Sequence, residues 1–304
     1  METNNKPLIS VVIPVYNPDD SFSETIISVL NQTYPLFEIL VVDDGSEIPA
    51  APIIEKLKDT RISCYKLEHK NANVARNHGI LKAKGEFIAM LDSDDLWLEN
   101  HLEDCINTIK EANTDGLYGS LIIRNKQTNQ DRQVIVREMG GNETTINYLL
   151  TTGYGAQSST LFLTAESAKA ILWDVELNRH QDYDFVVRYT KQYKLAPKKN
   201  PTVIYITGGK VSKIDFDSCI RFIKRNDDDI NPQLYNIYHF NMLALANRLN
   251  APDKIIDYYK IGATRYKQYL SYQKFLSIRY PKTKTERFKC KAEYLFYILR
   301  VSVE

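Results

Sequence analysis

Short runs of apolar, β-branched residues alternate with stretches of helical periodicity through the first part of the chain. Ile9-Ser-Val-Val-Ile-Pro-Val-Tyr16 places apolar side chains at consecutive rather than alternate positions, which predicts a strand buried on both faces. Ser21 with Glu24 three residues on has the form of a capping box, and Phe22, Ile26, Val29 and Leu30 recur behind it at helical spacing. Phe37–Val42 predicts a second buried strand that runs into Asp43-Asp-Gly-Ser46. A short helix around Ile53–Leu57, a strand at Ile62–Leu67 and a helix over Val74–Ala83 with Asn73 as its N-cap come next. Glu86–Leu91 is a further strand, ending in Asp92-Ser-Asp-Asp95, and Leu102, Cys105, Ile106 and Ile109 mark the helix after it.

This alternation predicts an α/β fold, a mostly parallel sheet flanked by helices. In such sheets ligands bind outside the carboxyl ends of the strands. Three polar clusters, Tyr16-Asn17, Asp43-Asp44 and Asp92-Ser-Asp-Asp95, fall at strand ends and should therefore converge on one edge. Beyond residue 115 the pattern loosens. Leu117–Arg124 and Arg132–Arg137 suggest a hairpin, Ser159–Leu163 a short strand, Asp182–Tyr193 a helix and Thr202–Ile206 a last strand. Gly208-Gly209 is the best boundary, giving a domain over 1–208 and a helical, Tyr-rich C-terminal extension over 209–304.

Composition narrows the class. Of 304 residues, 43% are hydrophobic and 25% charged, which excludes a disordered or fibrous chain. The net charge of +1 gives no overall pull toward nucleic acid, so a nucleic-acid partner is not expected. The four cysteines are widely spaced with no C-x-x-C pair, which fits a reducing compartment and offers no zinc knuckle. No signal peptide or spanning segment is legible, so a cytoplasmic location is the expectation. Walker, dinucleotide-fingerprint, nucleophile-elbow and paired-histidine motifs are all missing from the sequence.

Each polar cluster has a plain structural explanation beside a chemical one. Asp92-Ser-Asp94 could present oxygen ligands to a hard divalent cation, or its carboxylates could cap the helix that follows. Asp44 could accept from a nucleobase or a ribose, or Asp43-Asp-Gly-Ser46 could be an Asx-type turn with Gly45 at positive φ. Arg76 could face an anion from the first turn of its helix, or lie on the surface while Gly79 permits close packing. Asp182 could be a general base, or merely a cap.

Taken together and in order, five stretches resemble the family 2 glycosyltransferases, inverting nucleotide-sugar enzymes of the GT-A fold. They are Val11–Asn17, Ser28–Tyr34, Glu38–Ser46, Ala75–Gly79 and Lys84–Asp95, within a resemblance covering about residues 8 to 207. The resemblance implies that Pro14, Tyr16 and Asp44 line a nucleobase pocket, with Arg76 beside base and phosphates and Asn73 nearby. It implies that Asp92 meets the ribose or lies near the metal, and that Asp94 ligates Mn²⁺ or Mg²⁺. Asp182 falls where the family carries its catalytic base, with Arg188 at the matching spacing, although Gln181 stands where Glu is common. Gln157-Ser-Ser-Thr160 matches a small polar stretch near the acceptor.

The implied partners are a nucleotide-sugar donor, taken as a UDP-sugar, and a glycan or lipid-linked glycan acceptor in polysaccharide assembly. Two rivals stand beside this. A sugar-phosphate nucleotidyltransferase would carry a Gly-rich basic loop where this chain has Val-Tyr-Asn-Pro-Asp-Asp, and a non-catalytic binding domain would be expected to lack the base. Residues 258–304 hold 11 Lys/Arg against 3 Asp/Glu together with 11 aromatics. They suggest either a peripheral contact with anionic lipid or a helical subdomain packed on protein.

Overall fold

A computed structural model describes residues 6–19, 21–208 and 214–266. Most of the basic, aromatic tail invoked above for lipid contact lies outside the described residues. The described residues fall into two compact units, with Asn142–Gly153 and the chain from Ile223 onward separated from the rest. This division by packing falls after Phe222 rather than at Gly208, and it takes in a helix at 145–152 that no sequence signal separates from its neighbours.

The first unit is built on one mixed sheet. Strands β1 (Ile9–Val15), β2 (Phe37–Asp43), β3 (Ile62–Lys66) and β4 (Phe87–Met90) pair in parallel in the order β3-β2-β1-β4. Every residue of β1 and β4 is buried, which accounts for their unbroken apolar runs. The other strands are β5 (Leu96–Trp97), β6 (Gly116–Asn125), β7 (Asp131–Val134), β8 (Phe162–Thr164) and β9 (Leu195–Thr207). They continue the sheet as β8-β6-β9-β5, with β7 on β6. Here the pairing is mixed: β8 runs antiparallel to both β4 and β6, while β9 runs parallel to β6. The expected hairpin forms, with Leu121 opposite Val134 and Arg124 opposite Asp131.

Helices α1 (Phe22–Leu30), α2 (Ala51–Leu57), α3 (Ala72–Lys82) and α4 (His101–Ala112) connect the strands. Phe22, Ile26 and Val29 of α1 join Ile9, Val11, Ile13, Ile39 and Val41 in the core. Two caps differ from the sequence expectation. Ser21 makes no capping bond because its hydroxyl turns back to Asp19 Oδ1, and α3 starts from Asn71, whose Oδ1 accepts the N–H groups of Asn73 and Val74. Helices α5 (Thr145–Thr152), α6 (Ala165–Ile171), α7 (Gln181–Tyr189), α8 (Phe216–Arg225), α9 (Pro232–Arg248) and α10 (Asp253–Gly262) complete the described chain.

In the second unit α10 lies against α9 so closely that a Cβ on Gly262 would come within 1.9 Å of His239 Cδ2. Burial holds His239 neutral, its pKa lowered to about 4. No helix among the described residues is long and apolar enough to cross a membrane.

Close approach also seats α3 on the sheet. A Cβ added to Gly79 would lie 2.4 Å from Val12 Cγ1, a stiff β-branched side chain in the middle of β1. Gly79→Ala should therefore destabilise the protein by about 1–3 kcal/mol, the usual cost of overpacking a dense core. A urea titration against the native chain measures it.

Candidate active site

The polar clusters do converge. Tyr16 and Asn17 follow β1, Asp43 ends β2 with Asp44 behind it, and Asp92–Asp95 form the turn between β4 and β5. The two adjacent aspartates at the end of β2 divide the labour. Asp43 is the turn residue: its Oδ1 accepts from Ser46 N–H at 2.8 Å and its Oδ2 from Ala50 N–H at 3.0 Å. Asp44 is left to face a small cleft of about 250 Å³ lined also by Pro14, Tyr16, Asp92 and Asp94. Asn17 takes a left-handed φ of +48° and gives its N–H to Ser46 Oγ at 2.8 Å, tying the first two clusters together.

Helix α3 has little amphipathic character because its polar face is itself buried. Asn73 and Asn77, one turn apart, hold the segment 173–177. Asn73 Nδ2 donates to the carbonyls of Asp174 and Leu177 at 2.7 and 2.8 Å, and Asn77 exchanges two bonds with the Trp173 backbone. Asn73 is fully buried, so it shapes the site by accepting from Arg76 Nη1 at 3.0 Å and does not itself reach the cleft. Arg76 is no surface arginine. It is 3% exposed, its guanidinium lies over the Trp173 ring at 4.6 Å, and its Nη2 donates to Asp92 Oδ1 at 2.6 Å.

The turn at 92–95 caps no helix: Leu96–Trp97 is a strand, and α4 begins after Asn100. Asp95 is buried and structural. Its Oδ1 accepts from Ile206 N–H at 3.0 Å, and Ser159 Oγ donates to its Oδ2 at 2.5 Å while accepting from Asp92 N–H at 3.0 Å. Ser159 belongs to a 3-10 turn, Ser158–Thr160, where the sequence suggests the start of a strand.

That arrangement crowds carboxylates. Burial first, then the charges of Asp92 and Asp94, pushes the Asp95 carboxyl well above its usual value. The surrounding protein and Asp92 lift Asp94, although Asp94 is exposed at the cleft wall. Asp94 receives no bond from another side chain or from another residue's backbone among the described residues, whereas Asp92 has Arg76. Tyr205, facing the same cluster, is raised to about 12 by burial and then by Asp95, Asp92, Asp94 and Asp182.

Asp182 sits in the first turn of α7, a helix that starts directly after His180, itself in a left-handed conformation. Burial raises its pKa to about 6, with the Tyr183 N–H and Arg76 opposing the shift and Asp92 adding to it. Nothing in the local sequence reports this shift, because it comes from how much protein surrounds the helix start. Asp184 points into the protein, where its Oδ2 accepts from Arg188 Nε at 2.7 Å. Arg188 also donates to the Ile171 carbonyl, which makes it a brace between α6 and α7.

The profile for glycosyl transferase family 2 matches residues 10–171, more than half of the chain. The chain belongs to that family. Among curated proteins it is 32% identical over 192 residues to the amylovoran biosynthesis glycosyltransferase AmsB of Erwinia amylovora, a match covering 60% of this chain and 64% of that one. It is 39% identical over 122 residues to the UDP-Glc:alpha-D-GlcNAc-diphosphoundecaprenol beta-1,3-glucosyltransferase WfgD of Escherichia coli, covering 40% of this chain and 48% of that one. The chain thus spans about half to two-thirds of the length of these relatives.

Residues 1–349 of S. aureus TarS, crystallised with UDP, share the family fold. The match has a TM-score of 0.59 at 19% identity, covering 91% of this chain and 93% of that one. The GT-A architecture expected from the family resemblance is therefore the one present.

Sequence reasoning missed one residue of the site region and gave another a different part. His69, in the β3–α3 loop, approaches Asp44 and lies in no motif, so only tertiary placement reveals it. Ser159, within the Gln157-Ser-Ser-Thr160 stretch expected near the acceptor, holds the 92–95 turn. Asp95 gives a direct check on that turn. Asp95→Ala strips acceptors from a buried hydroxyl and a buried N–H and should cost about 2–4 kcal/mol in denaturant unfolding, whereas Asp95→Asn, which retains a carbonyl oxygen and sheds a crowded charge, should cost under about 1 kcal/mol.

Proposed function

We propose that this chain transfers a sugar from a nucleotide sugar, taken as UDP-linked, to a hydroxyl of a glycan or lipid-linked glycan acceptor, inverting the anomeric centre. The observation that carries this reading is the meeting of Pro14, Tyr16, Asp44, Asp92 and Asp94 in one cleft at the carboxyl ends of β1, β2 and β4. The relatives' names support the choice of donor and acceptor, since WfgD is named for a UDP-glucose donor and a diphosphoundecaprenol-linked acceptor.

In this reading Tyr16 offers a half-exposed ring for the base to stack on, and Asp44, an acceptor-only group, takes a base N–H. Asp92 accepts from ribose hydroxyls, and Arg76, fixed over Trp173, sets the position of Asp92 through their ion pair. The residues also fit a hard divalent cation, Mn²⁺ or Mg²⁺, with Asp94 as its ligand. Asp94 is exposed to the cleft, bears an all-oxygen donor set and lies among like charges that a cation would relieve. Among the described residues no group of three or more His, Cys, Asp and Glu could chelate a metal unaided, which suits an ion sharing its ligands with substrate phosphates and water. When bound, such an ion supplies Lewis-acid neutralisation of the departing diphosphate.

The chain's own chemistry then rests on Asp182. As a carboxylate it takes the proton of the acceptor hydroxyl while that oxygen attacks the anomeric carbon from the face opposite the diphosphate, and one such displacement inverts the centre. A pKa of about 6 makes it a stronger base than a solvated Asp, yet leaves it mostly ionised at neutral pH. The base must be unprotonated to act, so kcat should be level above pH 7 and fall about tenfold per unit well below pH 6.

Nucleoside diphosphate release from a panel of nucleotide sugars, with acceptor and Mn²⁺ or Mg²⁺, tests the assignment. Asp182→Asn should bind donor normally and lose about 10²–10⁴ in kcat together with the acid limb. Asp94→Ala should lose the metal dependence of donor binding. Failure of every UDP-, GDP- and TDP-sugar to bind with metal present would sink the reading.

A further inference from the structure

The loop between β3 and α3 is fastened to the turn after β2. Leu67 N–H donates to the Asp43 carbonyl at 2.8 Å, and Lys70 N–H donates to Asp44 Oδ1 at 3.0 Å. Between them, His69 Nδ1 lies 2.9 Å from both Asp44 Oδ2 and the Asp44 carbonyl. Two acceptors around one ring nitrogen mean that Nδ1 carries the proton and donates. The fit is close: Gly45 holds φ at +74°, and a Cβ there would come within 2.4 Å of His69 N. On its other side the His69 ring stacks on Tyr16, with centroids 4.1 Å apart and planes 20° from parallel. One side chain therefore touches both groups to which the proposed function assigns the nucleobase.

We infer that His69 is a positioning residue that sets nucleobase specificity, holding the Asp44 carboxylate and the Tyr16 ring for a base that presents a ring N–H. This rests on the donor nucleotide occupying the cleft of Pro14, Tyr16 and Asp44. Asp44 is 2% exposed, so its carboxylate is aimed by its partners rather than by water. A carboxylate only accepts. It pairs with the N3–H of uracil or thymine and opposes the N3 lone pair of cytosine, provided that its oxygens stay where the base edge arrives. The Lys70 N–H fixes one oxygen and His69 Nδ1 the other, leaving each with a lone pair free for the ligand. The stacked imidazole stiffens Tyr16, which is 47% exposed, and so adds sequence-tolerant affinity for any base.

The two contacts are separable by substitution. His69→Phe keeps a ring on Tyr16 and removes the bond to Asp44, whereas His69→Asn keeps a donor near the Nδ1 position and removes the ring. Calorimetric titration of UDP and CDP into the full chain, native and variant, with Mn²⁺ present, measures both. The expected result is that the native chain prefers UDP and that His69→Phe loses about tenfold of that preference. His69→Asn should keep the preference within about threefold while weakening both nucleotides by a similar factor of about 3–10.

An unchanged UDP-to-CDP ratio in folded His69→Phe, checked by its melting curve, would overturn the inference while leaving the donor site intact. A native chain that bound neither nucleotide would remove the donor site and this role with it.

Discussion

Much of the first unit hangs on one buried carboxylate. Asp95 leaves β4, reaches β9 through the Ile206 N–H and reaches the 3-10 turn before β8 through Ser159, so it joins parts of the chain more than sixty residues apart. Ser159 passes the constraint on by accepting the Asp92 N–H and by offering its carbonyl to Trp97 Nε1 at 3.1 Å. Asp92 and Asp94 are thereby held in a rigid turn rather than a loose loop, and β5 is pinned beside β9 in the same act. A charge so deeply buried is costly unless its bonds are made, which places rigidity at the sheet edge where the polar clusters gather.

How much of this the sequence discloses depends on whether the signal is local. The parallel half of the sheet was legible because β1 and β4 are buried along their whole length and carry unbroken apolar runs, and the three polar clusters follow directly from where those runs stop. Asp43 and Asp44 show the limit. Both the turn explanation and the ligand explanation hold, one for each residue, and only the hydrogen bonds of Asp43 reveal which is which. Capping positions shifted because Asn71 and Asn73 are equally good caps by type, and the choice was made by the buried bonds of Asn73 to residues about a hundred positions away.

Arg76 illustrates the same point from the other side. Judged by its neighbours in sequence it is an ordinary polar residue in a weakly amphipathic helix. Buried against Trp173 and bonded to Asp92, it joins α3, the 173–177 segment and the acidic turn, and two asparagines on the same face prepare its place. In the second half of the sheet β5 and β8 are only two and three residues long, too brief for an apolar run to tell strand from turn.

The crowding around Asp94 reaches beyond catalysis. Asp94, Asp95 and Asp182 all bind protons more tightly in the folded chain than an unfolded one would, so ionising them works against the fold as the pH rises above the ordinary carboxylate range. Folding stability at this edge is therefore linked to whatever neutralises its carboxylates. Under the proposed function, a cation or donor that relieves the repulsion would also raise folding stability, because it binds the folded chain alone.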